Sequence, residues 1–274
     1  MNTPTPPPPL PGNSRSVRLR CIQHVSFEGP GAITGWAASR GFSLGITRLH
    51  AGDHVPRVDA FDWLILMGGP MSVHDEHVYP WLRAEKSLVR ECLARELPVV
   101  GICLGSQILA ECLGTRLVKS PHREIGWFPI RVMPGPDSRM SSMPEENMAF
   151  HWHGETHALP PGATLRAHSQ ACEVQAFETA AAHGLQVHLE MTCPDLDDLI
   201  RNCGHEIGTG PYEQSPEVLR AGESIHGASA RQMLYRLLDT SPAKVISARR
   251  GSHFAVKAAP KQHTAVATTF WFLT

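Results

Sequence analysis

The first half of the chain alternates between short apolar runs and longer segments in which apolar residues recur at helical spacing. VRLRCIQHV, LGITRLH, FDWLILMGGP and VVGI predict strands, and the first of them begins near Val17. GPGAITGWAASRGF and YPWLRAEKSLVRECLARELP predict helices that stop near Gly41 and Pro98. Strands that alternate with helices favour a parallel sheet with helices on both of its faces.

The pattern changes between about Gly126 and Glu190. Five short runs in this region predict strands separated by turns: GWFPIRVM, MAFHWH, ATLRAHS, EVQAFE and GLQVHLE. Two segments with helical patterns follow them, DLDDLIRNCGHEI and SPEVLRAGESIHGASARQMLYRLLD. We therefore expect one folded domain over residues 17–239.

The two flanking segments differ from this domain in composition. Residues 1–16 are rich in proline and polar groups, which predicts a disordered or polyproline-like segment. Residues 240–274 contain no acidic residue but several lysines and arginines, which is typical of an unstructured basic tail. A docking segment for a partner or for nucleic acid is the alternative interpretation of the tail.

Composition narrows the class of protein. The chain has 274 residues, of which 42% are hydrophobic, and a formal net charge of -1, so no overall basic field predicts nucleic-acid binding. No apolar run is long enough to span a membrane, and no signal-peptide core is visible, so we expect a cytoplasmic protein without a membrane partner. The seven cysteines include no CxxC pair, which argues against a disulfide scaffold or a zinc knuckle.

One cysteine stands apart from the others. In VVGICLG, Cys103 lies where the predicted strand becomes a helix, with Gly101 and Gly105 two residues away on either side. A sharp strand–turn–helix connection leaves little room for Cβ atoms, and it would expose the sulfur at the carboxyl edge of the sheet. The pattern predicts a nucleophile, and a buried strand-end cysteine beside ordinary turn glycines is the alternative.

Two further segments could complete such a site. In GLQVHLE, His188 and Glu190 lie two apart at the end of a predicted strand, so both side chains would leave the same face, and the glutamate could orient the imidazole. In LILMGGP, Gly69 follows a buried strand and could aim its amide at an oxyanion, together with the amide of Leu104. The alternatives are a half-buried histidine beside a surface glutamate and a simple loop turn.

In combination, these segments resemble the class I glutamine amidotransferases, in particular the amidotransferase domain of GMP synthase. The matching pieces occur in the family's order: LILMGGPMSV, PVVGICLGSQILAECLG, EIGWFPI, FHWHGETHALPPGA, QAFE and GLQVHLE. The resemblance implies a three-layer α/β/α fold with a central, mostly parallel, flavodoxin-like sheet. It also implies hydrolysis of the side-chain amide of glutamine, with no metal or organic cofactor.

The same resemblance implies a role for each matching residue. Cys103 would be the nucleophile, His188 the acid and base, and Glu190 its orienting partner. The amides of Gly69 and Leu104 would form the oxyanion hole. Residue Gln107, one turn into the helix after Cys103, would help to hold the substrate glutamine. One departure is Leu189, which stands where many relatives have proline, and leucine is compatible with an extended segment.

Three functional hypotheses remain open at the level of sequence. Because no P-loop-like segment follows the domain, we expect that this chain does not make GMP by itself. It could be a glutaminase subunit that feeds ammonia to a separate ATP-dependent synthetase, or a stand-alone hydrolase of γ-glutamyl peptides or amides. It could also be a non-catalytic regulatory or binding protein. FHWHGETH, with His151, His153, Glu155 and His157, allows a metal site as a minor alternative.

Overall fold

Strands and helices alternate in the first half of the computed structural model, which describes residues 16–133, 135, 140 and 143–240. In chain order the elements of this half are β1 (Arg18–Gln23), α1 (Ala32–Ser39), β2 (Ser43–Arg48), β3 (Trp63–Leu66), α2 (Trp81–Ala94), β4 (Val99–Ile102) and α3 (Leu104–Cys112). The second half contains β5 (Leu117–Val132), β6 (Glu146–His157), β7 (Thr164–His168), β8 (Ala176–Glu178), β9 (Ala182–Leu185), α4 (Cys193–Cys203) and α5 (Pro216–Thr240). The predictions for 1–16 and 240–274 concern residues that, except for Ser16 and Thr240, lie outside the described part.

All nine of these strands belong to one mixed sheet, in the order β2-β1-β3-β4-β9-β8-β7-β5-β6. The strands from β2 to β9 in that order are parallel, and those from β9 to β6 pair antiparallel. The connection between β8 and β9 has only three residues, which is too short for the crossover that a parallel pair requires. The sheet is therefore parallel on the side of β9 that contains β4 and antiparallel on the side that contains β8.

Side chains that alternate along the parallel strands enter two separate apolar cores. In β1, Cys21 belongs to a core that also contains residues of α1, α4 and α5, whereas Ile22 belongs to a core with residues of α2 and α3. Helices thus cover both faces of the sheet, and the predicted α/β/α class is confirmed. No helix among the described residues is long and apolar enough to cross a membrane.

The segment GLQVHLE differs from the prediction that it is a strand through Glu190. β9 ends at Leu185, and its neighbour β4 ends at Ile102, so the chain beyond Leu185 has no parallel partner. The backbone turns instead towards β6, where the amide of His188 donates a hydrogen bond to the Phe150 carbonyl at 2.8 Å. His188 and Glu190 therefore lie in the connection after β9.

Candidate active site

Cys103 forms a tight elbow between β4 and α3. Its φ is 50° and its ψ is −109°, a conformation that residues with a side chain rarely adopt. A Cβ on Gly101 would overlap the Gly105 carbonyl, and a Cβ on Gly105 would overlap the Leu66 carbonyl. Both flanking glycines are therefore required by close backbone approach, as the sequence pattern predicted.

The imidazole of His188 lies between Cys103 and Glu190. Its Nδ1 donates a hydrogen bond to Glu190 Oε1 at 2.7 Å, which leaves Nε2 for the hydrogen bond with the Cys103 thiol. Both His188 and Glu190 are buried. Burial alone would lower the pKa of His188, but the Glu190 charge and the hydrogen bonds to Cys103 and Glu190 outweigh it and raise the pKa well above its usual value.

The Gly68–Gly69 turn lies against the same histidine. A Cβ on Gly68 would stand 3.1 Å from His188 Cε1, and a Cβ on Gly69 would stand 3.1 Å from Leu104 Cδ2. Leu104 is the first residue of α3, where a helix leaves its backbone amides without intrahelical acceptors. The two predicted oxyanion donors therefore lie on adjoining segments next to the elbow.

These residues meet at a cavity of about 370 Å³. Gly69, Cys103, Gln107 and His188 line it, while Glu190 stands behind His188. The side-chain amide of Gln107 is fixed in the wall, since its Nε2 donates to the Glu155 carbonyl at 3.1 Å and to Gln186 Oε1 at 3.3 Å. The structure thus brings the predicted site residues together.

The cavity also contains residues that the sequence did not indicate. Glu28 follows β1, and burial, with repulsion from Glu190, raises its pKa to about 7 although His188 opposes the shift. The Cys103 sulfur lies 3.7 Å from the backbone carbonyl oxygen of Trp152, and the indole Nε1 of Trp152 donates a hydrogen bond to Glu206 Oε2 at 3.0 Å. Glu28 and Trp152 reach the cavity because of the order of the strands in the sheet, which local sequence patterns do not reveal. The only sequence signal for such residues is that ligands bind at the carboxyl edge of the parallel strands.

Two histidines of FHWHGETH, His151 and His153, belong to a buried polar cluster beside this cavity, whereas His157 contacts Ser106 and the Ala158 carbonyl instead. Glu124, His151 and His153 offer ligand atoms within 4.8 Å of one another. The Gln175 amide already bridges two of them, because its Nε2 lies 2.7 Å from Glu124 Oε2 and 3.2 Å from His151 Nδ1. Gln175 thus ties Glu124 to His151 by hydrogen bonds, and His153 Nε2 lies 3.2 Å from Glu124 Oε2.

The chain resembles known amidotransferases along most of its length. A family model described as glutamine amidotransferase class-I matches residues 33–207. The glutamine amidotransferase-like protein YfeJ of Salmonella typhimurium is 31% identical over 233 residues, which cover 81% of this chain and 96% of that protein. GMP synthase of Geobacillus kaustophilus is 34% identical over 194 residues, which cover 67% of this chain but only 36% of that enzyme.

Solved structures show the same likeness. A glutamine amidotransferase from Thermotoga maritima has a TM-score of 0.76 at 29% identity, with 82% of this chain and 98% of that one covered. A glutamine amidotransferase from Methylobacillus flagellatus has a TM-score of 0.78 at 27% identity, with 82% and 94% covered. From the matched residues and the shared fold, the chain belongs to the class I glutamine amidotransferases, a family of enzymes.

Proposed function

We propose that this protein hydrolyses the γ-carboxamide of glutamine through a Cys103–His188–Glu190 triad. The observation that carries the proposal is that the elbow cysteine and a buried, hydrogen-bonded His–Glu pair meet at one cavity. The Cys103 thiolate attacks the amide carbon, and His188 Nε2 gives its proton to the departing ammonia. A water molecule that gives its proton to His188 then releases glutamate from the thioester.

The adjoining segments supply the remaining groups. The tetrahedral intermediate carries its negative charge on the former amide oxygen, which the backbone amides of Gly69 and Leu104 stabilise. Gln107, held in the cavity wall by Glu155 and Gln186, contacts the amino-acid portion of the substrate. The roles of Gly69 and Gln107 rest on their position in the cavity wall, and that of Leu104 on its place beside Cys103 at the start of α3; all three also rest on the family resemblance.

Glutamate release from glutamine by the purified chain tests the proposal. Cys103→Ala should abolish release, whereas Cys112→Ala at the far end of α3 should leave it nearly unchanged, because only the first sulfur lies at the cavity. Equal losses in both variants would overturn the assignment of the nucleophile.

The ammonia requires an acceptor outside the matched region. One relative, from Thermoplasma volcanium, is by name a single component of a GMP synthase, and it is 30% identical over 138 residues. By analogy, a separate ATP-dependent synthetase would receive the ammonia. Stimulation of glutamate release by a co-purified synthetase supports this pairing, and full activity of the isolated chain argues against it.

The lining of the cavity favours a second substrate class, γ-glutamyl amides with a cationic leaving amine. Asp75, Glu155 and Glu206 line the cavity, against one arginine, Arg123, and Glu28, with a pKa of about 7, adds a partial negative charge at neutral pH. Carboxylates attract a cationic amine more strongly than a neutral one. Faster hydrolysis of γ-glutamyl-(2-aminoethyl)amide than of γ-glutamyl-ethylamide would support this class, and equal rates would exclude it.

A further inference from the structure

A buried histidine outside the triad contacts the back of the Gly68–Gly69 turn. His24 directly follows β1 and is 1% exposed. Its Nδ1 lies 2.9 Å from the Gly68 carbonyl oxygen, and its Nε2 lies 2.8 Å from Glu85 Oε1 on α2. The ring also stacks on Trp81, at 5.5 Å between centroids.

The acceptors determine where the ring carries protons. A carbonyl oxygen cannot donate, so Nδ1 must carry the proton that it shares with Gly68. Glu85 is fully buried and faces Nε2. Although burial lowers the pKa of His24, the Glu85 charge and the hydrogen bonds to Glu85 and Gly68 raise it overall, and nearby Glu28 adds to the effect. The doubly protonated imidazolium satisfies both acceptors at once.

The Gly68 carbonyl and the Gly69 amide belong to one planar peptide unit. In a trans peptide the N–H points opposite to the carbonyl, so a carbonyl held by His24 aims the Gly69 N–H away from His24. Gly69 lines the cavity with Cys103. A cation at the carbonyl oxygen also polarises the peptide and makes its N–H a stronger donor.

We propose that the buried Glu85–His24 pair positions and polarises the Gly68–Gly69 peptide, so that the Gly69 amide stabilises the substrate oxyanion that forms when Cys103 attacks. This inference rests on the proposed hydrolysis and adds two positioning residues to it. Consecutive glycines allow their shared peptide to rotate readily, and the hydrogen bond from His24 removes that freedom. A buried ion pair often gives little net stability compared with apolar residues, which favours a role beyond folding.

Three variants separate orientation, charge and general damage to the fold. Glu85→Gln lets a neutral His24 keep its Nδ1 proton on Gly68 while the charge is lost. His24→Phe in the Glu85→Gln background keeps the stacking on Trp81 but removes the donor. Glu178→Gln is the control for the loss of a buried carboxylate, because Glu178 contacts Arg166 and faces His183 at the amino end of β9, away from the cavity.

We expect kcat for glutamine to fall about 3- to 10-fold in Glu85→Gln and about 100-fold in the double variant, with KM nearly constant. His24→Asn in the Glu85→Gln background supplies an amide donor and should recover much of the loss. Alkylation of Cys103 by iodoacetamide forms no oxyanion, so its rate should stay within about twofold. An unchanged kcat in the double variant, or a parallel fall in alkylation, would overturn the inference.

Failure of the proposed hydrolysis is recognised separately. If the wild-type chain releases no glutamate from any substrate, the proposed function is wrong. Nitrogen NMR of labelled histidine at pH 7 still tests His24 itself, because both of its ring nitrogens should carry protons. The Gly69 amide proton should shift in the double variant and not in Glu178→Gln. An Nδ1 without a proton would overturn the inference whatever the activity.

Discussion

In the proposed mechanism, Glu190 acts through a single hydrogen bond to His188. It accepts the His188 Nδ1 proton at 2.7 Å, and both side chains are buried. Its backbone carbonyl separately accepts the Ala32 amide at the start of α1, at 2.9 Å. The carboxylate and the backbone of Glu190 therefore have different tasks, and a substitution can separate them.

We expect Glu190→Gln to lower kcat roughly 100- to 10,000-fold, because an amide stabilises the imidazolium poorly and can favour the wrong tautomer. The fold should survive, since the backbone bond to Ala32 remains. Activity measurements with circular dichroism check both statements. A melted spectrum at 25 °C would make Glu190 a structural residue.

The raised pKa of Glu28 makes the stability of the fold depend on pH. Its pKa is raised from 4.5 to about 7, so the folded protein keeps this proton where the unfolded chain has lost it. The contribution of Glu28 to the free energy of unfolding is therefore most favourable below about pH 4.5 and is lost as the pH rises towards 7.

Glu28→Gln should accordingly stabilise the protein above pH 7, by about 1–3 kcal/mol, and add nothing near pH 4. Urea unfolding at both pH values measures the difference. Glu173→Gln, at an exposed glutamate, should show no such pH dependence. A gain of equal size at both pH values would contradict the assigned cause.

The elbow between β4 and α3 leaves no room for a Cβ at either of its flanking glycines. Gly105→Ala would drive a Cβ into the Leu66 carbonyl, which belongs to β3 and has little freedom to move. Gly35, in α1, is the matched control, because a Cβ there meets nothing within 4 Å.

We expect Gly105→Ala to lower the thermal midpoint and to abolish activity, since α3 must shift away from β3. Gly35→Ala should instead stabilise the protein by about 0.5–1 kcal/mol, as alanine does in an exposed helix position. Thermal unfolding of both variants provides the measurement. Similar midpoints for the two variants would show that the elbow can relax.

Features set by local sequence patterns were predictable, whereas those set by pairing between distant strands were not. The elbow was predictable because Gly101 and Gly105 report a steric need within five residues. The prediction that His188 lies in a strand was wrong. The chain pairs with β4 up to Leu185 and then contacts β6 at His188, and local periodicity does not reveal this change of partner. His24 was not predicted because the pairing of Ile22 with Leu66 alone aligns it with Gly68.

At the scale of the molecule, the site combines both halves of the mixed sheet. Cys103 follows the parallel strand β4, whereas the His188 amide and the Cys103 sulfur both contact carbonyls of β6 in the antiparallel part. The described site residues, from His24 to Glu206, all lie within residues 16–240. This range holds every described element of the sheet.

A chain shortened to residues 16–240 should therefore release glutamate with the kcat of the full chain. Parallel assays and thermal unfolding of the two chains provide the test. A lower kcat at an unchanged midpoint would show that an outer segment contributes to the site, and it would revise the proposed domain limits.

If Cys103 acts as proposed, its backbone conformation sets a trade-off between activity and global stability. At a φ of 50° and a ψ of −109°, the residue that carries the sulfur is held in a conformation that glycine adopts more cheaply. Cys103→Gly should then unfold about 2–5 °C above Cys103→Ala, although glycine ordinarily costs stability relative to alanine. On the proposed mechanism, selection for thermal stability alone would then favour a glycine variant over an alanine variant, although both lack the proposed nucleophile.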